Sequence, residues 1–205
     1  MKEVFLDASK TTQEIAEEVN SVAALGFGQS QEEMFDDTYA HVIEAETLQV
    51  LYDRDKLAGF ALYSKCLGGV AIELVGIAVK PEFQGRGLGG AMVNSFSKQC
   101  GESPDFITAY TRNPSTVGIL HHFGGAYPLN SDHELISVAN AMPEASEING
   151  TVYHIGRYGN KGLYGGYDPA DRSLRGDRIP MKERFSELKN KGSALIVASR
   201  IKTTS

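Results

Sequence analysis

The chain has no apolar run that approaches the length of a membrane span, and its start, MKEVFLDASK, lacks the apolar core of a signal peptide. A soluble, cytoplasmic protein with no membrane partner is expected. Cysteine is scarce. Cys66 and Cys100 sit in apolar surroundings without metal-ligand spacing, so both read as core thiols in a reducing compartment, and no metal is expected. Positive charge is in deficit: the formal net charge is −6, which argues against nucleic acid as the main partner. A locally basic acceptor could still be drawn in by that charge. No internal repeat is present, and composition carries no mark of disorder.

What is there points to one folded domain. A length of 205 residues allows a single domain over 1–205, and an apolar fraction of 41% is enough for a real core. The most informative stretch runs from Ala71 to Ser97. Its first part, AIELVGIAV, is apolar and β-branched, as a buried strand is. Pro81 stops it, because proline has no N–H to give to a ladder. The cluster QGRGLGG follows, and glycines disfavour both strand and mid-helix. Leu88, Met92, Val93 and Phe96 then recur at helical steps. A strand therefore runs into a glycine-rich turn that opens a helix. Successive backbone N–H groups at such a junction form an anion site suited to phosphate.

Three readings compete for this stretch: an ordinary strand–loop–helix with glycines for tight turning, which four clustered glycines disfavour, a dinucleotide fingerprint, and a third glycine signature. A Walker A loop is excluded, because no Gly-Lys-Ser/Thr follows. Gly85, Gly87 and Gly90 fit the GxGxxG pattern of a dinucleotide site. That pattern wants its first glycine directly after the strand and an acidic residue after the next strand. Here KPEFQ intervenes, and Asp105 precedes the next strand, FITAYT. The third pattern fits best. Gln84, Gly87 and Gly89, preceded by Ala78-Val79 and Pro81-Glu82-Phe83, match the Q/R-x-x-G-x-G/A signature, and the chain over about 45–125 resembles the GNAT superfamily of N-acetyltransferases.

That resemblance implies an α/β fold: a mixed, mostly antiparallel sheet of six or seven strands with helices on both faces. It also implies acetyl-coenzyme A as co-substrate. The cradle for its pyrophosphate would be backbone N–H groups from Gln84 through Gly85, Arg86, Gly87, Leu88 and Gly89, with Gly90 and Asn113 as further contacts. Backbone of Ile77, Ala78 and Val79 would face the thioester. The central strand and the next would splay, with Gly76 the place for a bulge. Glu73 lies eleven residues before Gln84, where histone acetyltransferases of the superfamily carry their catalytic glutamate. It is also a lone carboxylate in an apolar strand, sharing a face with Val75, Ile77 and Val79 if the strand is regular.

The rest of the chain can be read around this centre. Val4 to Ala8 reads as a first strand. Thr12 to Leu25 reads as a helix capped by Ser9 or Thr11 and ended by Gly26. Gln31 to Ala45 reads as a second helix, and Phe27, Met34, Phe35 and Tyr39 are either core or the lining of an acceptor groove. Leu48–Tyr52, the turn DRDK, Leu57–Cys66 and the turn Leu67-Gly68-Gly69 lead into the central strand as a meander. After it, Phe106–Thr111 is a strand, and Asn113 and Pro114 open a helix through about Phe123. The family tyrosine that protonates the departing thiolate falls at Leu120, which leaves the general acid unassigned. His121 and His122 are adjacent to it.

From Tyr127 the resemblance ends. An insert over about 128–192 precedes the expected closing strand, Ala194 to Ile201. It holds a short helix near Asp132–Met142, a polar Gly/Tyr-rich loop beginning at Thr151, and a helix over about Met181–Lys191. The part from Tyr153 to Arg178 could cover the acceptor, form a homodimer interface or be a plain loop. The function expected is transfer of an acetyl group from acetyl-coenzyme A to a primary amine of a small molecule or protein, by direct attack. The alternatives are an acyl-coenzyme A sensor or structural module that transfers nothing, and a nicotinamide-dependent dehydrogenase.

Overall fold

A computed structural model describes residues 1–100, 104–159, 185 and 192–201. They belong to two compact units, one of Met1–Cys66 with Ile72–Gly101 and one of Leu67–Ala71 with Glu102–Ser205.

The first unit holds strands β1 (Lys2–Asp7), β2 (Thr47–Asp53), β3 (Lys56–Cys66) and nearly all of β4 (Ala71–Val79), in the spatial order β1-β2-β3-β4. Antiparallel pairing sets Phe5 opposite Gln49 and Val50 opposite Phe60. Three helices belong to this unit: α1 (Gln13–Phe27), α2 (Gln31–Glu44) and α3 (Leu88–Gln99). The first starts one residue later than expected. Its cap is Thr12, whose hydroxyl accepts from the Ile15 N–H, rather than Ser9 or Thr11. It also runs through Gly26 and stops at Gly28, whose φ of 68° is the left-handed turn that ends helices. Gly26 lies where a Cβ would meet the Cβ of Ala78 at 3.5 Å, so α1 rests on β4 there. A capping box at Ser30 and Glu33 fixes the start of α2.

The second unit holds β5 (Phe106–Thr111), α4 (Pro114–Gly124), β6 (Ala126–Tyr127), α5 (His133–Ala141), β7 (Ala145–Ile148), β8 (Thr151–His154) and β9 (Ala194–Arg200). Their order is β5-β9-β8-β7, with β6 also on β9, and these pairings are antiparallel. Residues Ala194–Ser199 of β9 are buried, as a central strand requires. The mixed, mostly antiparallel character expected from the sequence is present, but nine strands are described rather than six or seven.

Two of the additional strands replace a predicted loop. Thr151–His154 is wholly buried strand, not the start of a loop. The cause is a tight turn at Asn149 (φ 51°) and Gly150 (φ 73°), which folds β8 back on β7. Paired positive φ values are what a two-residue hairpin turn needs, and Asn-Gly supplies them at low cost. The expected helix near 132–142 is α5, capped by Asp132. Most of the Tyr153–Arg178 stretch, and all of the predicted helix over 181–191 except Phe185, lie outside the described residues. The described segments 151–159 and 192–201 are joined where the Tyr158 N–H donates to the Gly192 carbonyl at 2.6 Å, and the Arg112 guanidinium, just after β5, donates to the Ser193 carbonyl at 2.8 Å.

Candidate functional site

Strand β4 has the alternation of a sheet with two different faces. Ile72, Leu74 and Ala78 are buried, while Glu73, Val75, Ile77 and Val79 are half-buried. Since Ala78 points toward Gly26 of α1, Glu73 lies with Val75, Ile77 and Val79 on the opposite face. The glutamate is therefore part of a regular strand face.

The end of β4 is held by its neighbour strand and by the loop after it. The Lys80 N–H donates to the Ala58 carbonyl at 2.9 Å. Beside that bond, a Cβ on Gly59 would stand 2.9 Å from the Ala78 carbonyl oxygen and 3.2 Å from a Val79 methyl. Only glycine lets β3 pass this close. Gly59 thus sets the position of the backbone expected to face the thioester, and sequence reasoning did not single it out. Its only signal was a glycine inside the apolar run LAGFALY.

A short 3-10 turn, Pro81–Phe83, leads into the glycine cluster. Two side chains of the loop, whose backbone was expected at the phosphates, brace it from within. The Gln84 amide donates to the Val79 carbonyl at 2.8 Å. The Arg86 guanidinium donates to the Glu82 carbonyl at 2.9 Å and lies 5.3 Å from the centre of the Phe83 ring. Gly85 (φ 76°) and Gly87 (φ 74°) both adopt the left-handed conformation. This answers the glycine requirement at these two positions.

Gly87 is the cap of α3 and gives it no side-chain bond. The first helical hydrogen bond runs from the Ala91 N–H to the Gly87 carbonyl at 3.0 Å. The N–H groups of Leu88, Gly89 and Gly90 therefore come before the helical ladder begins and find no acceptor in it. They stand at the positive end of the helix dipole, under residues that carry almost no side chain. Such an array of backbone N–H groups can hold an anion such as a phosphate. No group of three or more His, Cys, Asp or Glu side chains able to hold a metal occurs among the described residues.

Asn113 belongs to the second unit. Its side-chain oxygen accepts from the Ser115 N–H at 2.9 Å and caps α4, as its sequence position predicts. Leu120 is completely buried, so the family tyrosine position carries a core side chain. His121 uses Nδ1 to accept from the Ala126 N–H at 3.2 Å, and His122 is exposed. Of the groove candidates, Met34 is core, whereas Phe35 and Tyr39 stack at 5.9 Å with Tyr39 exposed. Cys66 and Cys100 are half-buried rather than fully in the core; burial pushes the Cys100 thiol pKa up.

Residues 13–123 match the model of the acetyltransferase (GNAT) family. No curated protein matches the chain. Among solved structures, aminoglycoside 6'-acetyltransferase type Ii is similar over 100% of both chains, with 13% identity and a TM-score of 0.56. Tetrahymena GCN5 is similar over 74% of this chain and 93% of its own, with 14% identity and a TM-score of 0.55. An aminoglycoside 6'-N-acetyltransferase complexed with coenzyme A is similar over 100% of this chain and 99% of its own, with 12% identity and a TM-score of 0.54. At these identities the likeness concerns the fold.

Proposed function

Because the chain belongs to the GNAT family of acetyltransferases, we propose that it moves an acetyl group from acetyl-coenzyme A to a primary amine by direct attack, with the whole of 1–205 acting as one catalytic domain in the cytoplasm. The observation that carries the reading is the backbone cradle of Gly87 to Gly90 at the start of α3, next to a strand end braced by Gln84. Coenzyme A bound to the similar aminoglycoside 6'-N-acetyltransferase supports it.

The chemistry divides among this chain's groups. N–H groups from Gln84 to Gly90 bind the pyrophosphate. Backbone of Ile77 to Val79 orients the thioester and stabilises the oxyanion. An alkylamine with a pKa of roughly 10.4 is almost wholly protonated at neutral pH and cannot attack. Glu73 removes that proton, directly or through water. The nitrogen then forms its bond to the acetyl carbon and gives up a second proton, to solvent or to the sulfur, as the carbon–sulfur bond breaks and coenzyme A leaves as the thiolate or thiol. Buried Leu120 cannot protonate it, so the leaving sulfur takes its proton from another group or departs as the anion.

The second reading, an acyl-coenzyme A sensor without transfer, is favoured by that leucine alone. Coenzyme A release measured over a panel of polyamines, aminoglycosides, amino acids and peptide amines separates the two. Release that depends on the amine supports the transferase. Coenzyme A binding without release from any amine supports the sensor.

A further inference from the structure

The glycines of the cradle have no side chains with which to hold themselves in place. Only Leu88 stands among Gly87, Gly89 and Gly90, and it is half-buried. The position of these N–H groups must be set by the next turns of α3, through the stiffness of the helix. There Met92, Val93 and Phe96 are buried. Apolar packing is non-directional, so it tolerates small slides and rotations of a helix on a sheet.

A directional set of contacts lies beside this packing. Gln49, at the middle of β2, is completely buried and bonds to three elements. Its amide NH2 donates to the Met92 carbonyl of α3 at 3.0 Å and to one carboxylate oxygen of Glu3 on β1 at 2.7 Å. Its amide oxygen accepts from the Tyr63 hydroxyl of β3 at 2.8 Å. The Ser95 hydroxyl of α3 donates to the other Glu3 oxygen. The Tyr63 ring lies parallel to Phe96, 3.6 Å between centroids. Burial above all, then Cys100 and Glu3, pushes the Tyr63 pKa well up, so its hydroxyl remains a donor. A leucine at position 49 would bury equally well; what the amide adds is direction.

The geometry points to Gln49 as a positioning residue for the coenzyme A cradle: through Met92 and the Glu3–Ser95 link it fixes the axial place and rotation of α3, and with them the N–H groups of Leu88, Gly89 and Gly90. This rests on the coenzyme A reading above. The bonds of Gln49 end on α3, β1 and β3, and that of Ser95 ends on β1, so the network is expected to act on affinity rather than on the rate of the bound complex.

The test compares three variants with the unaltered full chain. Gln49→Met keeps the volume and removes the bonds; it is expected to raise the coenzyme A Kd and the acetyl-coenzyme A KM together by ~10-fold, the scale of losing one to two buried hydrogen bonds. The kcat at saturating acetyl-coenzyme A should stay within ~2-fold, since the chemical step uses other residues. Ser95→Ala removes one link and should give a smaller shift in the same direction. Glu3→Gln keeps both bonds, with Ser95 now accepting, and should bind as the unaltered protein does. A lowered melting temperature with unchanged Kd in Ser95→Ala and in Gln49→Met would make the network a plain core stabiliser and overturn the inference. Should Gln49→Met fail to fold, the contrast between Ser95→Ala and Glu3→Gln decides, equal Kd values overturning it. An unaltered protein that does not bind coenzyme A overturns the transferase reading itself, and this inference with it.

Discussion

The side-chain amide of Gln84 donates to the main-chain carbonyl of Val79 at 2.8 Å, closing the glycine loop onto the end of β4. The bond joins the loop proposed to bind pyrophosphate to the strand proposed to face the thioester. Gln84→Leu keeps the bulk and removes the donor. The expected result is a coenzyme A Kd weakened by ~5-fold, the equivalent of about 1 kcal/mol for one neutral hydrogen bond. Stability should change little, because Gln84 is exposed. Calorimetric titration with coenzyme A checks this, and an unchanged Kd would make the bond incidental.

Glu73 carries the sharpest kinetic expectation. Glu73→Gln retains the shape and removes the basicity. Turnover near neutral pH should fall by ~10²-fold to ~10⁴-fold, the range for loss of a general base. Coenzyme A affinity should hardly move, because the cradle is elsewhere. The deficit should narrow as pH rises toward the pKa of the amine, where free amine needs no base. Profiles of kcat and kcat/KM against pH for both proteins test it. Full turnover in the folded variant at neutral pH, with chemistry rate-limiting, would remove Glu73 from the role.

Gly124 makes a prediction about stability alone. A Cβ there would lie 2.1 Å from the Arg200 carbonyl oxygen and 2.6 Å from the Ser199 hydroxyl oxygen. Neither α4 nor β9 can yield without disturbing the other. Gly124→Ala should cost ~1–3 kcal/mol or more, the scale of overpacking. Urea denaturation reads it as a lower midpoint. A midpoint equal to that of the unaltered chain would show that α4 and β9 shift freely.

The centre of the chain was legible because several local signals agree there. The apolar run of β4, the stop at Pro81, the left-handed glycines 85 and 87 and the cap at Asn113 are each set by neighbouring residues. Alternation placed Glu73 on the same face as Val75, Ile77 and Val79 for the same reason. The β7–β8 hairpin was missed although Asn149-Gly150 marked it, because the Tyr- and Gly-rich text after it suggested a loop from Thr151 onward. Thr12 and Gly28, not their near neighbours, cap α1, since several residues could serve and tertiary packing selects among them.

Other parts were not readable at all. Gln49 is one polar residue in TLQVLYD, and its partners on β1, β3 and α3 come from 43 to 46 positions away on one side and the other, apart from Tyr63 at 14. Gly59 owes its role to a β4 carbonyl rather than to any local turn. Gln84 was read as part of the cradle's backbone, and the bond its side chain makes depends on where β4 ends. Such roles come from long-range contacts, which a local pattern does not encode.

The central claim is that the backbone from Gln84 to Gly90 binds the pyrophosphate of acetyl-coenzyme A. The direct measurement is calorimetric titration of coenzyme A into the unaltered chain, into Gly87→Val and into Gly68→Val. Both glycines have positive φ, 74° and 67°, with nothing within 4 Å of an added Cβ, so both substitutions strain the backbone without internal clash. Only the first puts a branched side chain in the cradle. Binding by the unaltered chain and by Gly68→Val, with a loss of ~2 kcal/mol or more (~30-fold) in folded Gly87→Val, is the predicted result. Equal affinity in folded Gly87→Val would contradict the assignment of this loop.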